Sequence, residues 1–173
     1  MRVIKAPNDY SACSRPWLFL SGSIEMGAAE KWQERCEKLL VHSPGTILNP
    51  RRDDWDSTWV QTADNPQFRE QVLWELEAMD KADEILLYFD PKSSAPITLL
   101  EFGLHARIRR GSSGLIRKRS HLIVCCPDGF YRKGNVDIVC QRYGVTQRPN
   151  LEDLVELYQS GMNNVSDPTP TPK

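Results

Sequence analysis

An apolar run, Ile85-Leu86-Leu87-Tyr88-Phe89-Asp90, is followed by Pro91 and two serines and then by Pro96-Ile97-Thr98-Leu99-Leu100-Glu101-Phe102-Gly103-Leu104. The pattern reads as a strand, a loop and a helix start, with one carboxylate, Glu101, inside the otherwise apolar helical turn. Open α/β sheets bind ligands just beyond the carboxyl ends of their strands, which makes Glu101 a candidate catalytic nucleophile. The alternative is a structural Glu near a helix start, where the dipole favours negative charge. A second acid, Glu75, falls among Phe68, Val72, Leu76 and Met79 on one stripe of the preceding helix, with Gln71, Trp74 and Ala78 at its border. It reads either as a core-facing acid or as an exposed residue at the stripe's edge.

Two further stretches carry polar chemistry. Ser21-Gly22-Ser23 ends the apolar run Trp17 to Leu20. Small residues there let the backbone approach a ligand, and amides at the following helix start can hold an anion or a hydroxyl. The turn lacks the spacing of a dinucleotide fingerprint and the Lys and Ser/Thr of a P-loop, and it fits a plain tight turn equally well. No cofactor is implied. The second stretch runs from Asn49-Pro50-Arg51-Arg52 through Trp55 to Trp59 and also holds three aspartates. Trp is costly to expose and loops carry sites, so Trp55 or Trp59 either stacks on a flat ring or covers a core edge.

These groups need a scaffold. Trp17–Leu20, Thr46–Leu48, Ile85–Phe89 and Leu122–Cys126 read as buried strands, and Val145-Thr146 as the start of a fifth. Helical spacing covers Ala28 to Leu40, a helix opening at Asn65-Pro66, about Pro96 to Ile108, Asn135 to Tyr143, and a last helix through Leu151 and Tyr158. Gly103 inside its helix hints at close packing. Continuous apolar strands alternating with helices predict an α/β fold, a flavodoxin-like doubly wound parallel sheet of about five strands with helices on both faces. Right-handed crossovers gather the strand ends at Ser21, Asn49, Asp90 and Cys126 onto one edge, so the turn, the Trp-rich loop and Glu101 share a cleft. Residues 1–15 are expected to form an irregular arm, 16–162 the domain, and 163–173 a disordered tail.

Composition bounds the rest. At 173 residues, 40% hydrophobic and 26% charged, the chain has material for one core. A net charge of −1 gives no basic field for a nucleic-acid polymer. The cluster Arg107, Arg109, Arg110, Arg117, Lys118 and Arg119 brackets Gly111-Ser112-Ser113-Gly114 and reads as a solvated loop. The five cysteines contain no C-x-x-C pair, which fits buried thiols better than disulfides or a metal site. No apolar run approaches the ~18 residues of a membrane span, so a cytoplasmic protein without a membrane is expected.

Taken together, Phe19-Leu20-Ser21-Gly22-Ser23-Ile24, Asn49-Pro50-Arg51-Arg52 with Trp55, Gln71-Val72-Leu73-Trp74-Glu75-Leu76, Ala82-Asp83, Pro96 to Gly103, and Gly129-Phe130-Tyr131-Arg132-Lys133-Gly134-Asn135-Val136 resemble the nucleoside 2-deoxyribosyltransferase family, in particular its transferase-like subgroup. The resemblance spans most of residues 17–145 and rests on the order of the motifs. It implies a flavodoxin-like homodimer or higher homo-oligomer that shares active sites between subunits and acts on a small nucleoside or nucleotide. Glu101 matches the family's nucleophile, Glu75 the acid that handles the base's proton, and Asn135 the Asn donated by a neighbouring subunit. The sugar site is implied at Ser21, Gly22 and Ser23. Two positions depart: Phe19 stands where many relatives carry an aromatic hydroxyl, and Ser93 to Pro96 lack the second acid often found before the nucleophile.

The implied reaction is a double displacement in which Glu101 attacks C1′ of a 2′-deoxynucleoside and a second base, or water, releases the sugar. Burial among Val72, Leu76 and Met79 would raise the pKa of Glu75 for proton donation. Phe19, Ser21, Gly22, Ser23, Asn49, Arg51, Arg52, Trp55, Trp59 and Asp90 are the expected substrate contacts, with Arg51 and Arg52 suited to a phosphate. An N-glycoside hydrolase, a non-catalytic nucleotide-binding module and a purely structural subunit are the alternatives.

Overall fold

The computed structural model describes residues 1–24, 31–107 and 121–165, with side chains to residue 161. Six strands and five helices follow in order: β1 (Arg2–Lys5), β2 (Trp17–Gly22), α1 (Trp32–Leu39), β3 (Thr46–Asn49), α2 (Pro66–Lys81), β4 (Glu84–Tyr88), α3 (Pro96–Ala106), β5 (His121–Cys125), α4 (Lys133–Tyr143), β6 (Thr146–Arg148) and α5 (Leu151–Val165). The strands form one sheet in the order β1-β3-β2-β4-β5-β6, every pair parallel. With the edge strand β1 set aside this is the flavodoxin-like order, and the chain reverses its winding direction between β2 and β4.

The strands are apolar throughout because both faces are covered. Along β2, Leu18 and Leu20 pack with Trp32 and Cys36 of α1 and with Leu154 and Tyr158 of α5. Phe19, between them, points the other way to Trp74 and Met79 of α2 and Phe102 of α3. The same alternation sends Ser21 to the face that carries α2 and α3. β4 and β5 repeat it, with Ile85, Leu87, Leu122 and Val124 on that face and Leu86 and Ile123 on the other.

Several expectations need correction. The first fifteen residues are not an irregular arm: β1 pairs with β3 from Arg2↔Thr46 to Lys5↔Asn49. Only Ile4 of this four-residue strand is fully buried, so its alternation was too short to read. Tyr10 then packs edge-on against Trp17 and Trp74, with ring centroids 5.1 and 5.6 Å away. The core stripe of α2 is also rotated. Gln71, Trp74, Ala78 and Met79 are buried, while Leu73 and Leu76 are exposed, because the large Trp74 indole occupies the ground between Tyr10 and Phe19. Gly103 does not mark a close approach; a Cβ there would meet nothing within 4 Å. α5 extends through Val165, into the segment expected to be disordered. The remainder of that tail, the start of the helix expected from Ala28, and Arg109, Arg110, Arg117, Lys118 and Arg119 lie outside the described residues.

Gly22 ends β2 where the two faces meet. A Cβ there would lie 2.5 Å from the Tyr88 carbonyl oxygen and 2.7 Å from Cζ2 of Trp32, and the former is backbone that cannot step aside. Its smallness is demanded by internal packing rather than by a ligand alone. Gly22→Ala should therefore cost about 1–3 kcal/mol. Urea denaturation checks this, and an unchanged midpoint would show that the strand end has room.

Candidate active site

Helix α3, which carries Glu101, is aimed by the loop before it. Asp90, buried at the end of β4, accepts the Lys92 amide on Oδ1 at 2.9 Å and the Ser93 amide on its carbonyl at 3.0 Å. Ser93 Oγ in turn accepts the Ala95 amide at 3.1 Å. Ala95 has φ 44° and ψ 48°, a left-handed conformation that a non-glycine residue adopts at a cost of about 1–2 kcal/mol. The residue before a proline ordinarily stays extended, so this sharp turn into Pro96 is imposed by the surrounding hydrogen bonds. Asp90 thus shapes the loop. The turn brings Glu101 to the second turn of α3, beyond the stretch where the helix dipole stabilises a carboxylate appreciably.

Glu101 is 8% exposed, and Ser21 Oγ donates to its Oε2 at 2.6 Å. This contact joins α3 to the end of β2, at the point between β2 and β4 where open α/β sheets hold ligands. Burial pushes the Glu101 carboxyl up to about 8; the Ser21 hydroxyl opposes the shift and the charge of Glu75 adds to it. Glu75 is partly exposed as a residue, yet its carboxyl is enclosed, and burial raises it to about 7 against a hydrogen bond from Gln71. The charge of Glu75 acts on Glu101, so the two acids titrate as a coupled pair in which Glu101, the more strongly raised, keeps its proton to the higher pH.

Gln71, read from sequence only as a border residue, is the hub of the acid side. Its Nε2 donates to the Pro50 carbonyl and to Glu75 Oε1, both at 2.7 Å, so it ties α2 to the loop after β3. The i to i+4 spacing to Glu75 was the signal available for it.

The other expected site residues divide. Ser23 is buried beside Gly22; its carbonyl accepts the Trp32 indole N–H at 3.1 Å, and its Oγ has no partner among the described residues. Arg51 has a buried Nη1 that is likewise unpartnered. Asn49 is committed internally, its Nδ2 donating to Glu37 at 2.7 Å and its Oδ1 accepting the Arg51 amide at 2.8 Å. Arg52 is committed as well, forked onto Asp54 at 2.8 and 2.9 Å, reaching Glu70 at 3.4 Å and lying 5.0 Å from the Trp59 ring centroid. Trp55 and Trp59 pack on each other at 5.2 Å. Phe19 is fully buried beneath the site, tilted against Trp74. Asn135 sits exposed in the first turn of α4, on no described hydrogen bond through its side chain.

The raised carboxyls have a consequence for stability. A carboxyl that holds its proton more tightly when folded supports folding below its unfolded value and loses that support as pH rises through the folded one. Wild-type stability should therefore fall between about pH 5 and pH 9. Glu101→Gln, which keeps the shape without the charge, should flatten that slope and be more stable than wild type by on the order of 2–4 kcal/mol at about pH 9. Parallel slopes in denaturation across this range would show that Glu101 stays hydrated.

No group of three or more His, Cys, Asp and Glu placed to hold a metal ion occurs among the described residues, and no described helix is long and apolar enough to cross a membrane. A search of curated proteins finds no match. The family model described as nucleoside 2-deoxyribosyltransferase like matches residues 15–130, a span that runs from two residues before β2 through β5 and contains Ser21, Glu75 and Glu101. A parallel sheet in flavodoxin-like order, carrying two buried acids at its winding reversal and matched over two thirds of its length, identifies the chain as a member of the nucleoside 2-deoxyribosyltransferase-like family.

Proposed function

We propose that the protein transfers a 2-deoxyribosyl group between nucleobases through a covalent glycosyl-Glu101 intermediate. The observation that carries this reading is the buried Glu101 carboxylate, oriented by Ser21 at 2.6 Å and electrostatically joined to a second buried acid, Glu75. Because burial leaves Glu101 the weaker acid of the two, the reactive form is the minority arrangement of the singly protonated pair, in which the proton has passed to Glu75 and Glu101 is the ionised nucleophile. Glu101 Oε attacks C1′ as the C1′–N bond breaks, and Glu75 delivers its proton to the departing base. The Ser21 hydroxyl favours the ionised form of Glu101 and fixes its rotamer. An incoming base then attacks C1′ from the vacated side, its proton returns to Glu75, and configuration is retained over two inversions. Water in place of the base gives hydrolysis.

An assembly of identical subunits fits the surface. Ile97, Leu100 and Leu104 lie on one side of α3 and are 60%, 59% and 48% exposed, and Ile138 of the neighbouring helix α4 is 67% exposed. Such exposed apolar residues on two neighbouring helices suit contact with a second copy, whose exposed Asn135 would then reach the sugar or the nucleophile. Mixing Glu101→Ala and Asn135→Ala subunits should restore part of the activity that each lacks alone, whereas a site confined to one subunit would yield no recovery.

Incubation with 2′-deoxynucleosides and free bases, followed by chromatography, tests the reaction. Glu101→Gln should lower turnover by at least about a thousandfold and abolish a covalently trapped sugar in mass spectra. Undiminished base exchange in that variant would sink the proposal, while sugar release unaffected by added base would assign hydrolysis. The pH profile of kcat/KM should be a narrow bell whose limbs belong to the acid pair. In Glu75→Gln the alkaline limb should disappear, and the remaining limb should report Glu101 alone, at a value below the one it has beside an ionised Glu75.

A further inference from the structure

Unsatisfied polar atoms concentrate in the segments that follow β2 and β3. Among the described residues seven buried side-chain nitrogen or oxygen atoms lack a hydrogen-bond partner, and five of them belong to Ser23, Gln33, Arg51 and Gln71. These four residues come from the segments that surround the carboxyl ends of β2 and β3. A buried donor or acceptor without a partner costs about 1–3 kcal/mol, and more when it is charged, so five in one region signal a missing partner. Gln33 is 0% exposed in the first turn of α1, with both amide atoms unpaired.

The cluster is tied to the catalytic acids by consecutive contacts. From Glu75 the path runs to Gln71, then to the Pro50 carbonyl, then along the chain to Arg51. The Arg51 amide is held by Asn49, whose side chain reaches Glu37, one helical turn beyond Gln33. Arg51 also acts electrostatically on Glu34 of the same helix. The arc therefore starts at Glu75, the acid that serves the leaving base.

We propose that Arg51, Gln71 and Gln33 form the subsite that reads the polar edge of the leaving base, and that it selects bases bearing a ring carbonyl beside a ring N–H. This rests on the glycosyl-transfer reading for its biological setting. Gln71 is fixed as an acceptor, because its Nε2 is spent on Pro50 and Glu75 and only Oε1 is free. Arg51 is a donor only. One fixed donor and one fixed acceptor complement a C=O and an N–H, and the guanidinium pairs most strongly with the carbonyl, the more negative of the acceptors that bases offer. Gln33 can turn either amide atom inward. A phosphate suits the arc less well, since the fixed free oxygen of Gln71 would face its anionic oxygens. The neighbouring cations are also taken, Arg52 by Asp54 and Glu70 and Lys5 by Asp53.

The test compares 2′-deoxyinosine, 2′-deoxyguanosine, 2′-deoxyuridine and thymidine with 2′-deoxyadenosine and 2′-deoxycytidine as donors. Wild type should favour the first four by about tenfold or more in kcat/KM, and Arg51→Met should erase most of that preference by lowering kcat/KM for these four more than for the amino-base donors. Gln33→Met should weaken the preference in the same direction and serves if Arg51→Met does not fold. A preference for amino bases, or an equal loss on all six donors in both variants, overturns the inference. If no nucleoside is turned over, the transfer reading fails separately, and calorimetry with 9-methylhypoxanthine, 1-methyluracil, 9-methyladenine and 1-methylcytosine, whose glycosidic nitrogens are blocked, decides. Binding of the first two that is lost in Arg51→Met upholds the subsite, and absence of binding by any base to wild type overturns it.

Discussion

The hydrogen bond from Ser21 to Glu101 spans 80 residues of chain and joins the end of a central strand to the second turn of a helix on the sheet's face. Everything about the site depends on how that contact is protected from water. A carboxyl facing solvent at this place would be an ordinary anion; enclosed by α2, α3 and the sheet, it keeps a proton to about pH 8 and competes for it with Glu75. The enclosure is built from local demands. Alternation along β2 turns Phe19 and Ser21 to the same face, the strained turn at Ala95 sets the origin of α3, and the close meeting of Gly22, Tyr88 and Trp32 keeps the strand end in place. Each cost in backbone strain is repaid through the positioning of one carboxyl oxygen.

The loop after β3 shows how polar residues divide between architecture and chemistry. Asn49 and Arg52 satisfy their hydrogen-bonding groups within the protein, and Trp55 and Trp59 give each other apolar cover. Arg51 and Gln71, their immediate neighbours in sequence or space, leave one buried atom each unsatisfied. Equal-looking residues in a charged, aromatic segment thus take opposite roles, and the difference lies in which donors and acceptors remain after folding. Asp90 belongs with the first group, since its carboxylate and carbonyl organise the turn that leads into α3.

The alternation of apolar strands with amphipathic helices was enough to predict the doubly wound sheet, because strands covered on both faces must be apolar throughout and the crossover rule then sets the edge on which the ends collect. Glu101 was legible for a related reason: a charged residue inside an apolar turn has no packing rationale of its own. The stripe of α2 was less legible, because Leu73 and Leu76 are as apolar as the residues that were buried in their stead, and only the bulk of Trp74 against Tyr10 and Phe19 sets the helix's rotation. β1 escaped notice since four residues with charged ends carry too little periodicity.

Sequence by itself therefore determined the fold class and the edge of the sheet on which the strand ends collect, both of which follow from local periodicity and the crossover rule, and it singled out Glu101 and Glu75 as acids in apolar settings. Tertiary structure alone decided the Ser21 contact, the hub role of Gln71, the internal commitment of Asn49 and Arg52, and the unsatisfied atoms of Gln33 and Arg51. The physical reason is that hydrogen-bond satisfaction and desolvation are properties of the space between distant segments. That space exists only once β2, β3, α1, α2 and α3 have come together.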